Sequence, residues 1–151
     1  MESRLNLRGQ LQLVLRGSNG QVKDSRDIKN LVVNAGLGYI TSRMVGTSES
    51  VMSHVGLGSG STAVAAGDTD LGSLLGSREA LDSSTVSGSN NEKIVYVSAF
   101  EAGDATGAIT EAGIFNASTS GTMLCRTVFS TVNKAADDTL TVTWTITLSA
   151  S

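Results

Sequence analysis

The clearest pattern of apolar and polar positions lies near the C-terminal end, over residues 138–149. Apolar side chains occupy every second position there, and threonines occupy the positions between them. A period of two places successive side chains on opposite faces of a β-strand, so we predict a strand with one apolar face and one threonine face. The threonine face points either to solvent or to a partner protein. The predicted core face consists of Leu140, Val142, Trp144, Ile146 and Leu148.

A second alternating segment, near the N-terminus, predicts another long strand. Leucines recur on one parity over residues 5–15, whereas polar and basic side chains dominate the other parity. The strand ends before Asn19 and Gly20, a dipeptide typical of tight hairpin turns. Residues 1–16 therefore form either a strand within the domain or an arm that adds to the sheet edge of a neighbouring protein. The candidate interface residues of this segment are Arg4, Leu5, Leu7, Arg8 and Arg16.

One stretch has helical rather than alternating spacing. Asn34 is a residue type that favours helix N-caps, and apolar residues follow it at roughly helical spacing, at Leu37, Tyr39, Ile40, Met44 and Val45. Intervals of three and four residues are typical of a helix. The spacing predicts a single short helix over residues 35–45.

The remaining apolar runs are short and are separated by turn-forming residues. They bring the predicted total to seven or eight strands, with residues 77–91 as an exposed polar stretch between two of them. Phe115 and Phe129 lie in two of these runs and are predicted to join the core. We therefore predict one all-β domain over residues 1–151, an antiparallel β-sandwich or jelly roll. The sequence does not separate these two topologies.

The composition indicates a neutral surface. Charged residues make up 17% of the chain, below the usual quarter, and the net charge is −3. This balance argues against binding to nucleic acid. Cys125 is the only cysteine, which excludes an internal disulfide and favours a reducing compartment. Because no signal-peptide core and no apolar run of membrane-spanning length is present, we expect a soluble protein that is made in the cytoplasm and binds no membrane.

The sequence contains no recognisable catalytic or metal-binding pattern. His54 is the only histidine, and no nucleophile or carboxylate accompanies it in a known arrangement. The glycine-rich run at residues 56–62 lacks the lysine that a phosphate-binding loop requires. The aspartates do not match the spacing of a calcium-binding loop. We therefore expect no enzymatic activity, no cofactor and no bound metal.

Glu111 is a carboxylate in an otherwise apolar strand pattern. A buried carboxylate needs a partner that offsets the loss of water. The candidate partners are Arg126 and Lys134. We expect a structural ion pair with one of them rather than a role in catalysis.

Four segments together resemble a known group of proteins. They are residues 29–40, 54–73, 108–130 and 132–149. In these segments the chain is similar to small virion structural proteins of tailed bacteriophages, which decorate the capsid or associate with tail fibres. The sequence ITEAGIFN at residues 109–116 is also similar to the β-rich attachment regions of phage tail fibres.

This resemblance implies a capsid decoration, or cement, protein. Such a protein binds the capsid exterior where subunits of the major capsid protein meet, often as a homotrimer, and stabilises the shell. The expected location is thus the capsid surface, after synthesis in the host cytoplasm. An alternative within the virion is a tail, baseplate or fibre-attachment component. An alternative from another class is a lectin-like carbohydrate-binding module, for which six aromatic residues offer few stacking surfaces.

Overall fold

The computed structural model describes residues 2–47 and 49–150, which form nine β-strands and one α-helix. All strand pairs are antiparallel. The predicted all-β fold with one short helix is therefore confirmed. In chain order the elements are β1 (Leu5–Arg16), β2 (Val22–Val32), α1 (Asn34–Met44), β3 (His54–Gly58), β4 (Glu79–Ala80), β5 (Ser83–Ser87), β6 (Lys93–Phe100), β7 (Gly107–Phe115), β8 (Met123–Lys134) and β9 (Thr139–Ala150).

The strands form one curled sheet in the order β4-β3-β7-β8-β2-β1-β9-β6-β5. Its two end strands, β4 and β5, are consecutive in the chain and are separated only by Leu81 and Asp82. The Leu81 amide donates to Ser53 O at 2.8 Å, and the Asp82 amide donates to Val97 O at 2.7 Å. Because two residues connect the first strand of the order to the last, the sheet must curl until its edges meet.

The two layers expected of a sandwich are opposite halves of this one sheet. One half contains β5, β6, β9, β1 and β2, and the other contains β8, β7, β3 and β4. Strand β2 joins them, because it pairs with β1 as far as Asn30 and with β8 through its last two residues. Burial raises the pKa of Tyr96, on β6, to about 12, and the Cys125 thiol on β8 contributes to that shift. The inner faces of both halves thus pack in one hydrophobic cluster.

Trp144 lies at the centre of this core. It stands between Leu11 of β1 and Tyr96 of β6, and its side chain is fully buried. Its Nε1 donates a hydrogen bond to Asn30 Oδ1 at 3.0 Å, which satisfies the polar edge of the indole. The other predicted core residues divide into two groups: Leu140, Val142, Ile146 and Phe115 are buried, whereas Leu148 and Phe129 are partly buried.

The N-terminal segment pairs within its own chain. β1 runs beside β9 from the pair Leu5–Ala150 to the pair Arg16–Thr139. From Gly9 onward it also pairs with β2 on its other side. Of the two alternatives for residues 1–16, the structure shows the strand within the sheet, and residue 1 lies outside the described residues.

The polar stretch at residues 77–91 is largely exposed, as predicted, but it also contains strands that the sequence did not indicate. It contains β4 and β5, and these two short strands account for much of the difference between the predicted seven or eight strands and the nine described. Every residue of β5 is exposed, so no apolar pattern marks it. Its pairing with β6, from Ser83–Val97 to Ser87–Lys93, holds it at the sheet edge. The pairing with β6 makes this segment a strand although its own sequence has only a weak preference for one.

The helix α1 packs closely on β8. It begins one residue earlier than predicted, and its N-cap is Val33 rather than Asn34, with no side-chain cap. Gly36 and Tyr39 are its buried residues. A Cβ atom added to Gly36 would overlap the backbone carbonyl oxygen of Leu124. Glycine at this position therefore sets the distance between the helix and the sheet.

We expect Gly36→Ala to cost about 1–3 kcal/mol of unfolding free energy, because the backbone of β8 must move to admit the methyl group. Gly38 provides the matched control, since a Cβ added there would have no neighbour within 4 Å. Gly38→Ala should instead stabilise the protein by about 0.5–1 kcal/mol through its higher helix propensity. Urea unfolding of both variants measures the difference. Equal effects of the two substitutions would contradict the described packing.

Candidate functional site

On the outer face of strands β6, β9 and β1, three successive rows of paired residues contain no charged side chain. In the central row, Thr143 of β9 lies between Gln12 of β1 and Val97 of β6. In each of the two neighbouring rows, a threonine of β9 again lies between an uncharged residue of β1 and one of β6. Threonine and valine side chains on this face are partly exposed, because the opposite parity of each strand fills the core. We call this surface the Thr face. Its nine residues are Gln10, Gln12, Val14, Val95, Val97, Ala99, Thr141, Thr143 and Thr145.

The Thr face shares one property with the centres of protein–protein interfaces, the lack of charged side chains. Such centres are depleted of charged residues, whereas charges are common on surfaces that remain in water. Its threonine hydroxyls can exchange hydrogen bonds with a partner, and its methyl groups can be buried. The chemistry available to this surface is therefore adhesion.

A second exposed surface is apolar and lies on α1. Met44 is 80% exposed, the neighbouring Val45 is 78% exposed and Leu37 is 47% exposed. Leu37 and Met44 are seven residues apart, so they lie on the same side of the helix. Contiguous exposed apolar residues are typical of sites of protein association. We call Leu37, Met44 and Val45 the α1 stripe.

The candidate interface residues of the N-terminal segment lie in different places. Arg4, Leu5 and Arg8 are exposed, and Leu5 is 68% exposed. Leu7 instead packs against the core from the inner face of β1. Arg16 is exposed at the far end of β1, where its guanidinium donates a hydrogen bond to Gly20 O in the hairpin turn. The structure therefore does not bring these five residues together in one surface.

The Glu111 carboxylate lies at the centre of a network of hydrogen bonds. Its side chain is fully buried, and its Oε2 lies 2.9 Å from Arg126 Nη2. Backbone amides of a long loop donate to the same carboxylate: Gly60 N at 2.9 Å, Gly72 N at 2.9 Å and Ser73 N at 2.7 Å. The expected ion pair is thus with Arg126. Lys134, the other candidate, donates to Glu101 O instead.

The bonds around Glu111 determine its charge state. Burial alone would raise the pKa of this carboxyl, but the amides of Gly72, Ser73 and Gly60 and the Arg126 guanidinium together lower it below 4.5. Arg126 also binds Asp68 Oδ2 at 2.8 Å and Thr62 O at 3.1 Å. These hydrogen bonds join the loop that follows β3 to Glu111 and Arg126, and so they anchor the loop on the sheet.

The residues considered for catalysis do not converge. His54 Nδ1 lies 2.8 Å from Ser53 Oγ, its neighbour in the chain. Cys125 is buried, and burial raises the pKa of its thiol, which keeps it protonated. Among the described residues, no group of three or more His, Cys, Asp or Glu side chains could hold a metal ion. No helix in the described part of the chain is long and apolar enough to cross a membrane.

Comparison with protein families, with curated proteins and with solved structures found no match to this chain. The functional interpretation therefore depends on the surfaces described above and on the resemblance of the sequence segments.

Sequence reasoning did not find the α1 stripe. The apolar spacing predicted a helix but did not show which of its sides meets the sheet, whereas the structure buries Gly36 and Tyr39. The pair Gly36 and Tyr39, three residues apart, was a signal for the opposite side, because a glycine permits close approach to a neighbouring strand. A sequence rule that counts only apolar residues misses this side.

Proposed function

We propose that this chain is a structural protein of a bacteriophage virion and that it decorates the capsid. It binds the outside of the shell where subunits of the major capsid protein meet, and it stabilises the shell by burying surface against them. The observation that carries this proposal is the Thr face, a part of the sheet three strands wide without a charged side chain. The resemblance of four segments to phage virion proteins supports the same conclusion.

The rigidity of the fold suits this role. Strands β9 and β1 each pair with two neighbours over most of their length, so the outer face is expected to keep its shape on binding. A pre-organised surface loses less conformational entropy when it binds, so more of the contact energy remains as affinity. Many copies of a modest contact then stabilise a large shell.

The α1 stripe provides a surface for self-association. It lies on an element outside the sheet, so a homotrimer can bury it while the Thr face contacts the capsid. A solution mass of three times the 15.5 kDa chain, measured by light scattering, tests this part of the proposal.

A carbohydrate-binding role has less support. Sugar-binding modules use exposed aromatic rings, but here Tyr39, Tyr96, Phe100, Phe115 and Trp144 are buried. The sixth aromatic residue, Phe129, packs against the core. The described residues therefore offer no exposed aromatic platform on which a sugar ring could stack.

The decisive experiment for the proposed function is a count of copies in purified particles of a phage that carries the gene. A decoration protein is expected on the order of hundreds of times per particle, because a closed symmetric shell repeats each subunit junction many times. Quantitative mass spectrometry against the major capsid protein measures this ratio. A dozen copies or fewer would assign the chain to the tail, baseplate or fibre attachment. Absence from the particle would overturn the virion proposal.

We expect Thr143→Lys to weaken binding to particles that lack the protein by at least about tenfold, because it places an unpaired ammonium at the centre of the Thr face. The matched control is Thr131→Lys, on an exposed strand position of the other half of the sheet. Cosedimentation with the particles measures both affinities. Equal binding of the two variants would exclude the Thr face as the contact surface.

A further inference from the structure

A groove of about 610 Å³ lies at one end of the Thr face and shares Gln10 and Thr145 with its end row. Arg8 pairs with Thr147, and Thr147 pairs with Lys93, so three neighbouring strands bring these side chains into one row. Lys29 enters from β2, where it lies opposite Gln10. All five of these residues line the groove. Its polar lining differs from the neutral rows beside it because three of the five are cations.

Within the described part of the chain, these three cations have no hydrogen-bond partner and no close ion-pair partner. Among the described residues, the side chains of Arg8, Lys29 and Lys93 form no hydrogen bond and no ion pair within 4 Å, although Glu92 interacts electrostatically with Lys93. Asp27 is the one acidic residue in the lining. The lining thus has two more positive than negative charges, in a chain with a net charge of −3. Unpaired cations gathered in a concave surface attract an anionic ligand.

The lining also indicates which anion fits. It contains no aromatic residue, so nucleobases and sugar rings have no stacking surface. Three cations neutralise few phosphates, which gives little affinity for a nucleic acid. Beside the groove, Leu7 and Arg8 pair with β9 but lie before the point where β2 begins to pair with β1. A peptide in extended conformation can therefore approach the sheet at this point, as in strand addition.

We propose that this groove binds an extended acidic segment of a partner protein. Arg8, Lys29 and Lys93 face its carboxylates, and the Thr145 and Thr147 hydroxyls donate hydrogen bonds to it. Charge-assisted hydrogen bonds of this kind are stronger than neutral ones and fix the orientation of the bound segment. The groove shares Gln10 and Thr145 with the end row of the Thr face, but its three cations lie outside that face, and this proposal does not depend on the virion role.

The test is an NMR titration of the ¹⁵N-labelled chain with an acetylated peptide of alternating glutamate and threonine. The control peptide has glutamine in place of glutamate. We expect shifts of backbone amides to be confined to the groove, at Arg8, Gln10, Lys29, Lys93 and Thr147. Equal shifts with the neutral peptide, or shifts spread over the other cations of the chain, would overturn the proposal.

Removing positive charges from the groove provides a second test of the proposal. The double variant Arg8→Gln, Lys29→Gln should bind the acidic peptide at least about tenfold more weakly, because two charge-assisted contacts are lost. Arg16→Gln, at the opposite end of the same strand, should change the affinity by less than about twofold, since that charge lies far from the bound peptide. Parental affinity in the double variant would disprove the proposal. So would a preference for a heparin-derived oligosaccharide over the peptide. Because no particle is used, a failure here is distinct from a failure of the proposed function.

Discussion

We expect the Trp144→Ala variant to lose about 3–5 kcal/mol of unfolding free energy, a large share of the stability of a typical domain. The substitution removes a fully buried indole between β1 and β6 and leaves a cavity that the curled sheet cannot fill. It also removes the donor to Asn30 Oδ1. Urea unfolding followed by circular dichroism measures the loss.

A Trp144→Phe variant separates packing from hydrogen bonding. Phenylalanine keeps much of the ring volume but leaves Asn30 Oδ1 without its 3.0 Å donor. We expect this variant to lose about 1–3 kcal/mol, the cost of an unsatisfied buried polar group. If Trp144→Ala had the melting temperature of the parent chain, the tryptophan would not lie in the core.

Glu111→Gln is expected to cost about 2–4 kcal/mol, because it removes one of the two carboxylates bound to Arg126 and leaves Asp68 as the remaining one. The new amide group would also face backbone donors, since Gly60 N and Ser73 N bind one carboxylate oxygen and Gly72 N binds the other. The control is Asp70→Asn, which weakens a 3.4 Å pair with Arg78 whose aspartate is 66% exposed. That exposed pair should contribute less than about 1 kcal/mol.

The effect of Glu111→Gln should depend on pH. The pKa of Glu111 is lowered in the folded protein, so its charge stabilises the fold above the unfolded value of 4.5. That stabilisation is lost as the pH falls from there through the lower folded pKa. The stability difference between parent and variant should therefore shrink as the pH falls below about 4.5. A difference that stays constant below this pH would mean that the pKa of Glu111 is the same in the folded and the unfolded protein.

The elements that could be predicted from sequence are those with a strong local pattern. Strict alternation located β9 and most of β1, and a lone carboxylate in an apolar strand predicted the ion pair of Glu111. The alternation of apolar and polar residues can be recognised within a single strand, because one face of the strand is buried and the other is exposed. These features need no knowledge of the neighbouring strand.

The remaining features depend on pairs of residues that are distant in the chain. Whether Glu111 binds Arg126 or Lys134 is decided by the register of β7 and β8, which includes an irregularity between Ile109 and Glu111. Strand β5 exists only because β6 lies beside it. The groove requires Arg8, Lys29 and Lys93 to meet across four strands. No local rule fixes such a register.

The pairing of β1 with β9 also determines when the chain can fold during synthesis. Leu5 lies beside Ala150, so all residues between them must be made before this ladder can close. At ribosomal rates of about 5–20 residues per second, β1 waits on the order of ten seconds for its second neighbour. Strand β2 can cover one side of β1 early, but the other side stays open until β9 has left the ribosome. Loss of this twelve-residue strand would deprive both β1 and β6 of a neighbour.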